Sequence, residues 1–337
     1  MKRVTFEEHF STEEHLDCLR SILEKKYPVA EVIQEEKILD RELPFLVPTV
    51  QENVVSRLYD IGEGRLWEMD EAGIDMQVLS LISPGVQVLD APTGTAMAKK
   101  INDKLSVTVR EHPKRFAGLA SLAPQNPNEA ADELERAVQE LGLKGACINS
   151  HTKGEYLDDK KYWVILQRAE RLGVPIYIHP RSPSPDMVKP YLSYPMLDSP
   201  LLGFSAEVAL HALRLICSGV FDEYPKLKII LGHLGEALPY WLWRMDTIWQ
   251  RTPLAGKLRK TPSEYIKDNF FVTTSGMFWQ PPLLCSYLAL GADRILFAVD
   301  YPLESNKEAV QFMDAAPICD RDKEKICHLN AEKLLGL

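Results

Sequence analysis

Short runs of consecutive apolar residues alternate along this chain with longer stretches in which apolar positions recur every three or four residues. The short runs have the length and composition of strands buried on both faces, and the longer ones have the period of amphipathic helices. Strands are predicted at 4–10, 76–82, 116–122, 145–149, 174–180, 228–233, 269–276 and 294–300. Helices are predicted at 93–112, 128–141, 158–172, 206–217 and 240–249, with a charged helix at 320–337. A further helix at 53–73 is expected in two pieces, because Gly62 and Gly64 weaken its middle. Strand alternating with helix, with no Gly/Ser-rich linker and no second core, predicts an α/β chain folded as a single (β/α)8 TIM barrel over 1–337. Two stretches break the alternation and are read as rim excursions: 11–52, highly charged and punctuated by Pro44 and Pro48, and the proline-rich 180–200. The second is long enough to predict a lid or rim loop.

Barrels of this kind carry their reactive groups at the carboxyl ends of the strands. The first strand contains Glu7 and His9, which strand alternation places on one face with Glu8 on the other. The fifth ends in His179, the sixth breaks into Gly232-His233-Leu234-Gly235-Glu236, and the eighth ends in Asp300. Glycines 232 and 235 allow the tight turn that brings His233 and Glu236 to the rim. Glu7, His9, His179, His233 and Asp300 therefore converge on one mouth, with donors for one divalent ion and a proton relay beside it. Asn149, at the end of the fourth strand, is the expected substrate contact, while His151 just beyond it is read as structural or solvent-facing. Trp241, Trp243 and Trp249 are read as core or subunit contact.

Composition narrows the ligand. A formal net charge of -9 supplies no basic face for nucleic acid or an anionic membrane, so a small molecule is the expected partner. The charged amino terminus lacks the apolar segment of a signal peptide and no later run is read as spanning a bilayer, which predicts a cytoplasmic protein. Cysteines 18, 147, 217, 285, 319 and 327 show no CxxC spacing, and most are expected to be buried and reduced.

Several pieces resemble one family: Phe6-Glu7-Glu8-His9-Phe10, Arg115 to Leu122, Lys144 to Thr152, Val174 to Pro180, Gly232 to Glu236 with Trp243-Arg244-Met245-Asp246, and Thr273 to Gly276. In order and spacing they resemble the amidohydrolase superfamily. More narrowly, they are similar to its amidohydrolase-2 branch of metal-dependent, non-oxidative aromatic acid decarboxylases, the γ-resorcylate and 2,3-dihydroxybenzoate group. The resemblance implies that Glu7, His9, His179 and Asp300 hold one Zn2+ or Mn2+ ion. It implies that Asp300 protonates the ring carbon of a carboxylate substrate, with His233 and Glu236 as the hydrogen-bonded pair that recharges it. It also implies that Arg244 anchors a substrate oxygen, reaching the site of a neighbouring subunit in a dimer or tetramer. Glu7 stands where hydrolases of the superfamily have the first histidine of H-x-H, the variant associated with decarboxylation. Leu303 stands where the phenolic acid decarboxylases carry an aromatic, which leaves a smaller or non-aromatic carboxylate open. The alternative on the same frame is a hydrolase or hydratase of a lactone, amide or ring-cleavage product, in which the metal activates water.

Overall fold

The computed structural model describes residues 1–24, 52–253 and 255–337. Among the described residues nine strands run in chain order: β1 Val4–Phe10, β2 Met76–Leu81, β3 Phe116–Gly118, β4 Ala120–Ser121, β5 Ala146–Asn149, β6 Ile176–His179, β7 Ile229–Leu231, β8 Phe270–Thr273 and β9 Ile295–Leu296. All ladders are parallel, in two groups, β1-β2-β3 and β4 to β9 in order. Only Leu119 separates β3 from β4, and its N–H still reaches Leu79 O of β2 at 2.9 Å, so the two segments are one barrel stave. At the other seam Phe6 bridges Ala298, with Phe6 N–H donating to Phe297 O at 3.0 Å. The expected eight staves are thus present and the first meets the last.

Strand alternation sorts the core into two layers. Val4, Phe6, Val78, Tyr177, Ile230, Leu296 and Ala298 fill the barrel interior. Ile176, Ile178, Ile229 and Leu231 face outward onto the helices, with Phe10. His179 follows Tyr177, and Asp300 follows Ala298, at the spacing that keeps them on the inner face. In β1 the register slips between Thr5 and Glu8, and Glu7 takes a left-handed backbone, φ 62°. This bulge has a consequence that alternation alone does not predict. Val4 and Phe6 face inward, so an unbroken strand would turn Glu8 inward as well; the slip turns Glu7 and His9 inward instead.

The expected helices are present with adjusted ends. The broken pair is Glu52–Tyr59 and Glu63–Ala72, followed by Ala91–Glu111, Pro127–Gln139, Trp163–Leu172, Gly203–Ser218 and Leu238–Trp249. The terminal stretch is helical with a π turn at Lys325–Leu329. Among the described residues, three helices of eight or more residues were not expected: Pro262–Asn269, Gln280–Leu290 and Asn306–Asp314. Of the first excursion, Glu13–Glu24 is a helix and 25–51 lie outside the described residues. The second holds single 3-10 turns at Lys189–Tyr191 and Pro195–Asp198. Against expectation, Met196–Ser218 is long and apolar enough by composition to cross a membrane; its Gly203–Ser218 part packs Val208, Ala212 and Leu215 into the core. Also against expectation, only Cys147 and Cys327 are buried among the six cysteines.

Two histidines without a role in the sequence reading are fixed neutral inside the fold. His15 Nε2 donates to Gly85 O at 3.1 Å and its Nδ1 accepts from the Ser11 hydroxyl at 2.8 Å. Burial pushes it down to about 4, and burial pushes His211 down to about 3. An unfolded histidine takes its proton near 6.5. Below that value the unfolded chain binds more protons than the folded one, so stability is present above it and falls as pH drops. The expected loss from His15 alone is about 3 kcal/mol by pH 4. Urea midpoints between pH 8 and pH 4 check it, and the decline should be shallower in His15→Gln.

Candidate active site

The ends of β1, β6 and β9 bring Glu7, His9, His179 and Asp300 together. One ligand atom from each lies within 4.8 Å of the others. His9 Nε2 is 3.1 Å from Asp300 Oδ1, and His179 Nε2 is 3.4 Å from Glu7 Oε1. The two imidazoles meet edge to face with centroids 4.6 Å apart. Supports behind them fix their directions. The Ser275 hydroxyl donates to Glu7 Oε2, Thr273 Oγ1 donates to the same oxygen at 3.2 Å, and Ser80 Oγ meets His9 Nδ1 at 3.3 Å. A Cβ at Gly232 would lie 2.9 Å from the Tyr177 hydroxyl and 3.2 Å from both Glu7 carboxylate oxygens, so only glycine leaves Glu7 its place.

Beside this cluster His233 Nδ1 donates to Glu236 Oε1 at 2.8 Å, and its Nε2 stands 3.7 Å from Asp300 Oδ2. Ser275 Oγ accepts the His233 N–H at 3.2 Å, tying the pair to the oxygen network around Glu7. The backbone here is unusual. Glu7, His233, Glu236 and Asp300 all have positive φ, at 62°, 49°, 53° and 80°, a conformation costly for any residue but glycine. Gly276, at φ 59°, lies against the imidazole, and a Cβ there would come 3.1 Å from His233.

Burial and neighbours set the charges. Burial raises Glu7 above the ordinary carboxylate value, with Asp300 adding to the rise and His233 opposing it. Burial and the nearby His9 hold His179 well below the usual imidazole range. Burial would lower His233, but Glu236, Glu7 and Asp300 together raise it well above 6.5. Burial would raise Asp300, but His233 and His9 outweigh it and hold the carboxyl low. The pair is therefore stored as imidazolium and carboxylate.

A cavity of about 200 Å³ opens onto these groups, lined by His179, His233 and Asp300 on one side and by Pro200, Phe204, Met277 and Leu303 on the other. Asn149 is buried and pairs in register with His179, but it is not among the residues lining this cavity. Its main chain is held by Gln87, with Asn149 N–H donating to Oε1 at 2.6 Å, and its side chain faces Gly85. Arg244 is not brought to the site of its own chain. It lies in an outer groove with Trp241, Met245 and Ile248, because the helix Leu238–Trp249 turns that face away from the mouth. Trp243 is 78% exposed and Trp241 44%, so these two are not core. His151 is structural: Nδ1 accepts the Gly154 N–H at 3.1 Å and Nε2 meets Ser182 O at 3.2 Å. The sequence reading did not assign roles to Ser275, Thr273 and Ser80, although the Thr273-Thr274-Ser275-Gly276 strand end was the signal that could have found the first two.

The cluster fits a divalent cation. Glu7 Oε1, His9 Nε2 and Asp300 Oδ1 are buried without a hydrogen-bond partner among the described residues. His9 Nε2 and Asp300 Oδ1, 3.1 Å apart, are both among these unpartnered atoms. Two imidazole nitrogens and two carboxylate oxygens are a donor set suited to zinc or manganese, and a lowered His179 is ready as a neutral ligand.

Known proteins resemble this chain over nearly its whole length. The amidohydrolase family matches residues 46–337. The γ-resorcylate decarboxylase of Polaromonas sp. is 38% identical, over 99% of this chain and 98% of that one. A 5-carboxyvanillate decarboxylase of Novosphingobium aromaticivorans, solved with manganese and 4-hydroxy-3-methoxy-5-nitrobenzoic acid, matches with a TM-score of 0.92 at 37% identity, covering 100% of this chain and 96% of that one. A 2,6-dihydroxybenzoate decarboxylase solved with 2,6-dihydroxybenzoate has a TM-score of 0.86 at 36% identity, with 100% of both chains covered. With a family match over most of its length and relatives aligned nearly end to end, this chain belongs to the amidohydrolase family.

Proposed function

We propose that this chain is a divalent-metal-dependent, non-oxidative decarboxylase of a hydroxylated aromatic carboxylic acid, working with manganese or zinc. The observation that carries the reading is a four-donor cluster and a charged histidine–aspartate pair facing one small cavity. The first can gather the oxygens of a substrate, and the second can deliver a proton. The named relatives, which act on hydroxylated benzoic acids, support decarboxylation over the hydrolase alternative.

Removing CO2 from an aromatic ring requires a proton on the carbon that carries the carboxylate. The carbon–carbon bond then breaks, its electron pair restores the aromatic ring, and CO2 leaves. When bound, the metal supplies positive charge that draws in the substrate carboxylate and its neighbouring hydroxyl oxygen. The chain's own residues handle the proton. In the free protein it resides on His233. A substrate anion beside Asp300 disfavours a second negative charge there, which draws the proton across from Nε2 to Oδ2. Asp300 then gives that proton to the ring carbon, and once CO2 and the product have left, His233 takes a new proton from water to restore the starting state, while Glu236 keeps the imidazole in orientation. Phe204, Met277 and Leu303 exclude water from the ring face.

A second copy of the chain is the proposed occupant of the outer face carrying Tyr240, Trp241, Trp243 and Ile248. Exposed aromatics beside a groove of about 490 Å³ make the kind of patch that marks an interface. In such an assembly Arg244 serves a neighbour's site and not its own.

Two outcomes are expected. With the manganese-loaded protein under anaerobic conditions, 2,6-dihydroxybenzoate or 5-carboxyvanillate releases CO2, and Asp300→Asn lowers turnover by about 10²–10⁴-fold while still binding manganese. Turnover unchanged in that variant, or an aromatic product carrying 18O from labelled water, overturns the mechanism. In sedimentation, the native chain is expected at a multiple of its monomer mass and Trp243→Glu at a smaller one; a monomeric native chain rejects the assembly.

A further inference from the structure

The bulge that turns Glu7 and His9 inward leaves Glu8, the residue between them, on the opposite face, and it is completely buried there. A buried carboxylate needs a reason and partners. Glu8 Oε1 accepts the Val299 N–H at 3.0 Å, and Oε2 accepts the Tyr301 N–H at 3.3 Å. These two amides flank a single residue, Asp300. Asp300 is held at φ 80°, and its own carbonyl accepts the Leu303 and Glu304 N–H groups at 2.9 and 3.0 Å. His9 N–H adds a bond to Tyr301 O at 2.6 Å.

Behind Glu8 stands a second buried group. Arg65, from the helix Glu63–Ala72, donates Nη2 to His9 O at 2.6 Å and lies 4.6 Å over the Tyr301 ring. It reaches Gln77 Oε1 at 3.5 Å, and Gln77 Nε2 in turn reaches Glu8 Oε2 at 3.5 Å. One continuous buried network therefore joins the backbone of β1 to the two peptide units on either side of Asp300.

We infer that Glu8 is a positioning residue for Asp300, clamping the amides of Val299 and Tyr301 so that the Asp300 carboxylate faces both the metal cluster and His233. The tripeptide Glu7-Glu8-His9 then sets three of the four ligands: two with its own side chains, and the third through a backbone it holds from behind. A carboxylate is suited to this because both of its oxygens accept, whereas an amide of equal length accepts with only one. The geometry of the cluster stands apart from the decarboxylase reading; only the turnover arm of the test rests on that reading.

The test compares the native chain with Glu8→Gln, which keeps the length and loses one acceptor, and Glu8→Asp, which keeps the carboxyl group facing Arg65 but withdraws it by one methylene. Manganese affinity is measured by chelator competition, and kcat and KM on 2,6-dihydroxybenzoate are measured separately. Expected are manganese binding weaker by about 10–100-fold and kcat lower by at least about tenfold, with KM nearly unchanged. A folded variant with native manganese affinity overturns the inference, and does so even if the native chain turns over none of the acids offered. A measurement on the native protein covers the case in which neither variant folds. In metal-free protein the Val299 and Tyr301 amides should exchange slowly with solvent, and rapid exchange at both shows that no clamp is present.

Discussion

A strand cannot keep strict alternation and still present Glu7 and His9 to an interior already filled by Val4 and Phe6. The left-handed residue at Glu7 resolves the conflict, at a cost of about 1–3 kcal/mol for a non-glycine residue. Its compensation is local. Ser275 and Thr273 bind the Glu7 carboxylate, Arg65 holds the His9 carbonyl, and Phe10 returns to the helix-facing layer. The other features of the barrel mouth are arranged around this one slip. His179 and Asp300 need no register slip, since both lie in phase with inner-facing residues of their own staves.

Charge balance is the second constraint. Two carboxylates and two imidazoles with ligand atoms this close, buried away from water, repel, desolvate and protonate one another. The structure divides the burden unequally. Glu7 rises with burial, His179 falls with burial, and Asp300 is held low by the positive charge on His233, itself kept high by Glu236. The result is one neutral ligand histidine, one carboxylate sheltered by hydroxyls, and a proton stored on His233. A cation fits such a site because it relieves the remaining excess of negative charge where three donor atoms lack partners.

Much of this was legible in the sequence because barrel strands are apolar nearly to their ends, so that a histidine or aspartate interrupting one marks the mouth. The spacing of Glu7 and His9 correctly placed both on one face, but nothing in it specified which face, because a bulge leaves no compositional mark when its left-handed residue is not glycine. The motif around Arg244 places it on a helix without specifying which neighbour that helix faces, and in the structure it lies in an outer groove. The three unexpected helices divide differently. Gln280–Leu290 is apolar on nearly all sides, so it has no helical period to read, and Pro281 and Pro282 look like breakers although they sit in its first turn, where proline is tolerated. Pro262–Asn269 did carry a signature, Thr261 and Glu264 in a reciprocal cap, and Ser305 capping Glu308 marks the start of Asn306–Asp314.

The left-handed residues at the mouth carry an evolutionary consequence. Glu7, His233, Glu236 and Asp300 each occupy a backbone conformation that glycine or asparagine adopts more easily, so at these four positions the substitutions that relax the chain are also those that delete its chemistry. Stability and activity are set against each other within the same residues. Lineages of this fold released from selection for activity should therefore drift toward sturdier, silent barrels by losing these side chains first, while the rest of the scaffold remains intact.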